Sequence, residues 1–180
     1  LPARAMTGAP VIALAGNPNA GKSTLFNALT GLHQHTGNWP GKTVEKREGI
    51  FKRGATTLRI IDLPGAYSLS AFTPEEIITR DFILNAAPTA VVNVIDATNL
   101  ERNLYFTVQL LELGVPVLLA LNMVDELPGQ GLRIDADALA TQLGVPVVPM
   151  SARGGMGIER FETELLKLAA LPAAEASKVR

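Results

Sequence analysis

The sequence predicts a three-layer α/β fold, with a mainly parallel six-stranded sheet, one antiparallel edge strand and helices on both faces. Three observations carry this expectation. Short β-rich runs alternate with helix-period segments along most of the chain, the pattern of βαβ units with right-handed crossovers. The run Val91-Val92-Asn93-Val94-Ile95 is almost continuously apolar, as a strand buried on both faces must be. The run Thr43–Lys52 is instead charged and alternating, as suits an edge strand with one wet face.

Each element follows from local pattern. Val11–Ala15 reads as the first strand and Ser23–Thr30 as the helix after it. The edge strand pairs antiparallel with Thr56–Ile61 across the turn Arg53-Gly54-Ala55. Leu58–Asp62 leads to the helix Glu75–Asn85, whose start is marked by Thr73-Pro74 and by Glu75 and Glu76 in the first turn. Val91–Asp96 leads to Leu104–Leu113, with Asn99–Leu104 expected to open that helix on the side opposite the ligand. Val115–Leu121 precedes Ala136–Leu143, and Val145–Val148 precedes Ile158–Leu168.

At 180 residues the chain suits one compact domain, which can bury roughly 70% of its unfolded surface. The expected organisation is a disordered lead-in at 1–10, one domain over 11–171, and a tail or linker start at 172–180. With 47% hydrophobic and 18% charged residues, disorder and coiled coil are excluded for the whole. The absence of cysteine removes disulfides, thiolate catalysis and iron–sulfur ligation, and fits the cytoplasm. A net charge of −1 gives no field to condense on nucleic acid, so none is expected as a partner. Val91–Ile95 and Val115–Leu121 fall far short of the ~20 apolar residues a membrane span requires.

Immediately after the first strand stands Gly16-Asn17-Pro18-Asn19-Ala20-Gly21-Lys22-Ser23, a full match to G-x-x-x-x-G-K-[ST], followed by Thr24. Its glycines let successive N–H groups turn toward phosphate oxygens, and the helix beginning near Lys22 adds its positive end. Lys22 would neutralise the outer phosphates and the Ser23 hydroxyl would ligate Mg²⁺.

Asn122-Met123-Val124-Asp125 follows a buried strand, at the carboxyl edge where ligands of parallel sheets bind. Asp125 can accept the N1 and N2 protons of guanine, whereas adenine offers an acceptor at N1 and would leave the carboxylate unpaired. Asn122 would tie this loop to the phosphate loop, and Ser151-Ala152-Arg153 offers N–H groups to the guanine O6. Asp62-Leu63-Pro64-Gly65 has the D-x-x-G form in which Asp62 reaches Mg²⁺ through water and the Gly65 N–H contacts a γ-phosphate. Thr43 stands where a hydroxyl could ligate Mg²⁺ only in the triphosphate state, an order–disorder switch.

Together these elements resemble the Ras-like superfamily of P-loop GTPases, which implies the P-loop GTPase fold. Gly16–Lys22, Gly37-Asn38-Trp39-Pro40-Gly41, Pro74-Glu75-Glu76 and Asp96-Ala97-Thr98-Asn99-Leu100-Glu101-Arg102-Asn103-Leu104 further resemble the N-terminal cytosolic G domain of the FeoB ferrous-iron transporters, over about Val11 to Leu171. That resemblance implies a fragment that binds and hydrolyses GTP to GDP. In the whole protein a helical regulatory domain and a membrane permease would follow, at the cytoplasmic face of the inner membrane. The fragment itself would be soluble and open to homo-oligomer formation.

Where many relatives place a water-orienting Gln, this chain has Ala66, so backbone groups of Thr43 and Gly65 are expected to hold the attacking water. No arginine is expected to enter in cis, and charge between the phosphates needs another cation. The resemblance implies K⁺, held by the Asn19 side chain and by carbonyls of Gly37 and Trp39. Asn19, Lys22, Thr43 and Gly65 are thus the expected catalytic set. Met123 replaces the commoner Lys, whose stem covers the nucleotide, which implies looser binding and fast GDP release. His33 and His35 read as solvated histidines of a mobile loop, and Trp39 as an exposed anchor, a plug or a plain surface hydrophobe. Two other readings stay open: a ribosome- or tRNA-associated GTPase, and a non-hydrolysing nucleotide-regulated interaction module.

Overall fold

Strand β1 (Val11–Gly16) runs through the middle of the sheet because its residues after Val11 are all buried. Its side chains alternate between layers: Ile12 and Leu14 join the apolar cluster on one face, Ala13 and Ala15 that on the other. The computed structural model describes residues 8–171; residues 1–7 of the lead-in expected over 1–10 and the tail expected over 172–180 lie outside the described residues, while the Pro10 carbonyl accepts from Arg59 N at 2.9 Å.

The remaining strands are β2 (Gln34–Asn38), β3 (Glu45–Arg53), β4 (Thr56–Asp62), β5 (Ala90–Asp96), β6 (Val117–Asn122) and β7 (Val147–Pro149). They form a seven-stranded sheet in the order β2-β3-β4-β1-β5-β6-β7. β4, β1, β5, β6 and β7 are parallel, while β2 and β3 run antiparallel to their neighbours. The seventh strand, β2, was not among the six expected. Four of its five residues are exposed and none is apolar, so no hydrophobic period marks it. It is held by backbone pairing from Gln34 opposite Gly49 to Asn38 opposite Glu45, which makes β3 the second strand from the edge.

Helices α1 (Lys22–Thr30) and α5 (Ile158–Ala170) cover one face through Leu25, Phe26, Phe161 and Leu165. Helices α2 (Pro74–Ala86), α3 (Leu100–Glu112) and α4 (Ala136–Leu143) cover the other through Ile83, Phe106 and Leu139. The start of α2 matches its sequence signature: Thr73 Oγ1 accepts from Glu76 N at 3.1 Å, and Pro74 takes the first helical position. Helix α3 begins at Leu100, within the segment Asn99–Leu104 expected to open it, after a 3-10 turn at Ala97–Asn99 capped by Asp96, which accepts from Thr98 N at 2.8 Å.

Three placements correct the sequence reading. Asn99–Leu104 does not lie opposite the ligand edge: Asn99, Arg102 and Asn103 border a cavity of about 200 Å³ together with Asn17, Pro18 and Asn19. The reason is topological, since β5 is parallel to β1 and adjacent to it, so both chains leave the sheet at the same edge. Trp39 is buried, not exposed, packed edge-on against Phe82 at 5.6 Å with the Lys46 ammonium 5.0 Å from its ring. His35 lies in β2 and His33 in the turn before it, so they do not share a loop; among the described residues no group of three or more His, Cys, Asp or Glu is placed to hold a metal. No described helix is long and apolar enough to cross a membrane.

Candidate nucleotide site

The carboxyl ends of β1, β4 and β6 and the loop after β7 deliver their motifs to one edge of the sheet. The phosphate loop curls there with Asn19 at φ 67° and Gly21 at φ 95°, and α1 starts at Lys22. Asn17, Pro18, Asn19, Gly21, Lys22, Ser23 and Thr24 line one side of a cavity of about 630 Å³. Gly65 lines it from the D-x-x-G segment, and Asn122, Met123, Asp125, Ser151 and Arg153 from the far end. The sequence reading omitted Glu126, which also lines it as the residue after Asp125. Gly16 and Ala20, within the same loop, are buried and do not line the cavity.

Asn122 joins three loops. Its Nδ2 donates to Ala20 O at 3.0 Å, and its Oδ1 accepts from Ala152 N at 2.9 Å, both bonds being buried. A buried amide satisfied at both ends holds its partners at fixed separation. The phosphate-loop end and the Asp125 end of the cavity are therefore one frame. This bond also alters an expectation. Ala152 N–H goes to Asn122 and Ser151 N–H to Met156 O at 2.9 Å, so two of the three amides of Ser151-Ala152-Arg153 are engaged within the protein. Met123 adopts φ 63°, and its Cε lies 3.6 Å from where a Cβ on Gly21 would stand. Its side chain therefore reaches the phosphate loop at Gly21.

At the other end, Lys22 Nζ donates to Asp62 Oδ1 at 2.7 Å, and Arg47 Nη1 stands 3.7 Å from Asp62 Oδ2. Gly65 packs on the phosphate loop: a Cβ there would be 3.1 Å from Pro18 Cα. Ser23, Asp62 and Thr43 offer hard oxygen donors only, a set that suits Mg²⁺. Thr43 is exposed in the segment before β3 and lies outside the cavity lining in this conformation. Gly37 pairs with Lys46 in β2, and the Trp39 carbonyl accepts from Lys42 N at 2.9 Å. Of the three K⁺ donors named from the sequence, only Asn19 lines the cavity, so the set is not assembled in this conformation.

Residues that the motifs did not reveal hold the segment after Gly65. Glu76 accepts from Ser68 Oγ at 3.1 Å and Phe72 N at 3.1 Å, Gln109 Oε1 accepts from Leu69 N at 2.8 Å, and Thr79 Oγ1 donates to Pro64 O at 3.1 Å. Glu76 is thus more than a helix-start residue. Its burial and its bonds to Ser68 and Phe72 distinguish it from Glu75, and neither is visible in a string of letters. The Asn17 Oδ1 is buried without a hydrogen-bond partner among the described residues.

The family model for ferrous iron transport protein B matches residues 10–165. The chain belongs to this family. The Fe(2+) transporter FeoB of Salmonella typhimurium is 52% identical over 155 residues, covering 84% of this chain and 20% of that protein. The chain therefore spans about a fifth of the length of the curated FeoB relatives it matches. The FeoB G-domain from Methanococcus jannaschii superposes with TM-score 0.80 at 48% identity, covering 89% of this chain and 97% of that one. The cytosolic domain of the T. maritima FeoB iron transporter superposes in its GMPPNP form with TM-score 0.87 at 42% identity, covering 90% of this chain and 64% of that one. In its GDP form II the TM-score is 0.87 at 42% identity, covering 91% and 65%. The fold is that of the P-loop GTPase domain of FeoB proteins.

Proposed function

We propose that this domain binds GTP and hydrolyses it to GDP and phosphate, acting as the nucleotide switch of a longer ferrous-iron transporter. The observation that carries this reading is the Asn122 bridge, which ties the loop bearing Asp125 to the phosphate loop bearing Lys22 within one cavity. The GDP and GMPPNP forms of the T. maritima domain, 42% identical, support it. Membership of the ferrous-iron transport family speaks against a ribosomal or tRNA-associated role. The helical regulatory domain, the permease, homo-oligomer contacts and a place at the cytoplasmic membrane face belong to the same proposal.

In this reading the phosphate-loop amides and Lys22 bind the outer phosphates, and Asp125 reads the guanine N1 and N2 protons. Ser23 and Asp62, with Thr43 after closure of its segment, would hold Mg²⁺, which supplies charge neutralisation to the phosphates. Ala66 has no polar side chain, so the attacking water is oriented by backbone groups of Thr43 and Gly65. Asn19 would contribute its side-chain oxygen to K⁺ stimulation.

Calorimetry with GTP and ATP in magnesium, paired with phosphate-release assays, tests the proposal. GTP is expected to bind at least ~100-fold more tightly than ATP and to release phosphate. Equal affinity for the two would remove the guanine reading, and tight binding without phosphate release would leave a non-hydrolysing module.

A further inference from the structure

Arg47 and Asp62 sit directly opposite each other in the antiparallel β3–β4 pair. Directly paired residues project from the same face of a sheet, here the face covered by α1. The Arg47 guanidinium lies 4.6 Å from the Phe26 ring of α1, and its Nη2 donates to Asn27 Oδ1 at 2.7 Å and to Gln34 Oε1 at 3.2 Å. Gln34 in turn donates to Asn27 Oδ1 at 2.8 Å and Gly31 O at 3.0 Å. The arginine is thus held by α1 and β2 independently of Asp62. Its Nη1 stands 3.7 Å from Asp62 Oδ2, while Lys22 Nζ occupies Oδ1 at 2.7 Å. Two cations therefore share one carboxylate that is 8% exposed.

Lys22 has two competing partners, Asp62 and the phosphates of a bound nucleotide. Moving its ammonium from one to the other strips a buried carboxylate of its closest cation, which is costly unless another charge remains. We propose that Arg47 is a positioning residue that keeps Asp62 compensated while Lys22 transfers to nucleotide phosphate. Resting on the nucleotide-binding reading above, this assigns to a β3 residue outside the nucleotide motifs a share of phosphate-loop affinity. Arg47 touches neither nucleotide nor reacting atoms; it acts through the carboxylate that Lys22 must leave.

The test is a fluorescent-GDP titration of the 180-residue chain with EDTA and again with magnesium. Arg47→Met is expected to weaken binding in EDTA by about tenfold, and much less in magnesium, where a divalent cation can replace the missing charge. Arg47→Lys, which keeps the charge, should restore most of the EDTA affinity. Arg47→Gln, which keeps an amide donor without charge, should behave as the Met variant does and serves if that variant does not fold. In an Asp62→Asn background, where there is no carboxylate to compensate, Arg47→Met should have no effect in EDTA. A purely structural role for Arg47 would lower affinity equally in both buffers and in both backgrounds, and that result overturns the inference. Failure of the unaltered chain to bind GDP at all would instead overturn the nucleotide reading itself.

Discussion

A Cβ built on Gly21 would stand 2.1 Å from Nδ2 of Asn122, the atom that donates to Ala20 O. The phosphate loop and the base-reading loop are in contact at the one position where the loop backbone has φ 95° and no side chain. Gly21→Ala should therefore push Asn122 aside as well as strain the loop. The expected result is a fall in GDP affinity of more than about tenfold with the fold retained, read by calorimetry alongside circular dichroism. Unchanged affinity would show that the contact is slack.

Removing the bridge itself has a different signature. Asn122→Ala leaves the carbonyl of Ala20 and the N–H of Ala152 buried and unpaired, which is expected to cost about 2–4 kcal/mol of stability in urea unfolding. Nucleotide affinity should fall with it. A loss of affinity at unaltered stability would mean that Asn122 acts on the ligand alone.

Asp125 lines the base end of the cavity, and its specificity is a matter of hydrogen-bond polarity. Asp125→Asn replaces one acceptor oxygen by a donor, which opposes the guanine N2 amine but matches the carbonyl that xanthine carries there. Competition binding should show GDP weakened by about 100-fold and xanthosine diphosphate strengthened. Parallel loss of both would contradict base reading by this carboxylate.

Glu76 ties the segment after Gly65 to α2 through Ser68 and Phe72. Glu76→Ala should speed amide exchange at Phe72 and its neighbours well before it affects β1, because only the local tether is cut. Hydrogen-exchange mass spectrometry reads this directly. Uniform acceleration across the domain would indicate global destabilisation instead.

Asn19 alone of the proposed potassium donors faces the cavity. Phosphate release by the unaltered chain is expected to be faster in KCl than in NaCl, and Asn19→Ala should abolish that difference. Equal rates in the two salts for the parent chain would remove potassium from the mechanism.

Parallel strands and their helices were legible in the letters because burial on two faces demands long apolar runs, and phosphate binding demands Gly16–Ser23 in one contiguous stretch. Local constraints of this kind leave a local trace. The residues proposed to read guanine were legible for the same reason, since Asn122 and Asp125 must leave one strand end together.

Three-dimensional structure alone decided what depends on distant partners. Strand β2 has no apolar period, and backbone bonds to β3 define it. Trp39 is interior because Phe82, 43 positions along, closes over it. Arg47 meets Asp62 through strand register, and Glu76 meets Ser68 and Phe72 through a chain reversal. Composition and spacing specify which groups a chain can bring to an edge; which charge then shares which carboxylate is settled only when separate segments pack.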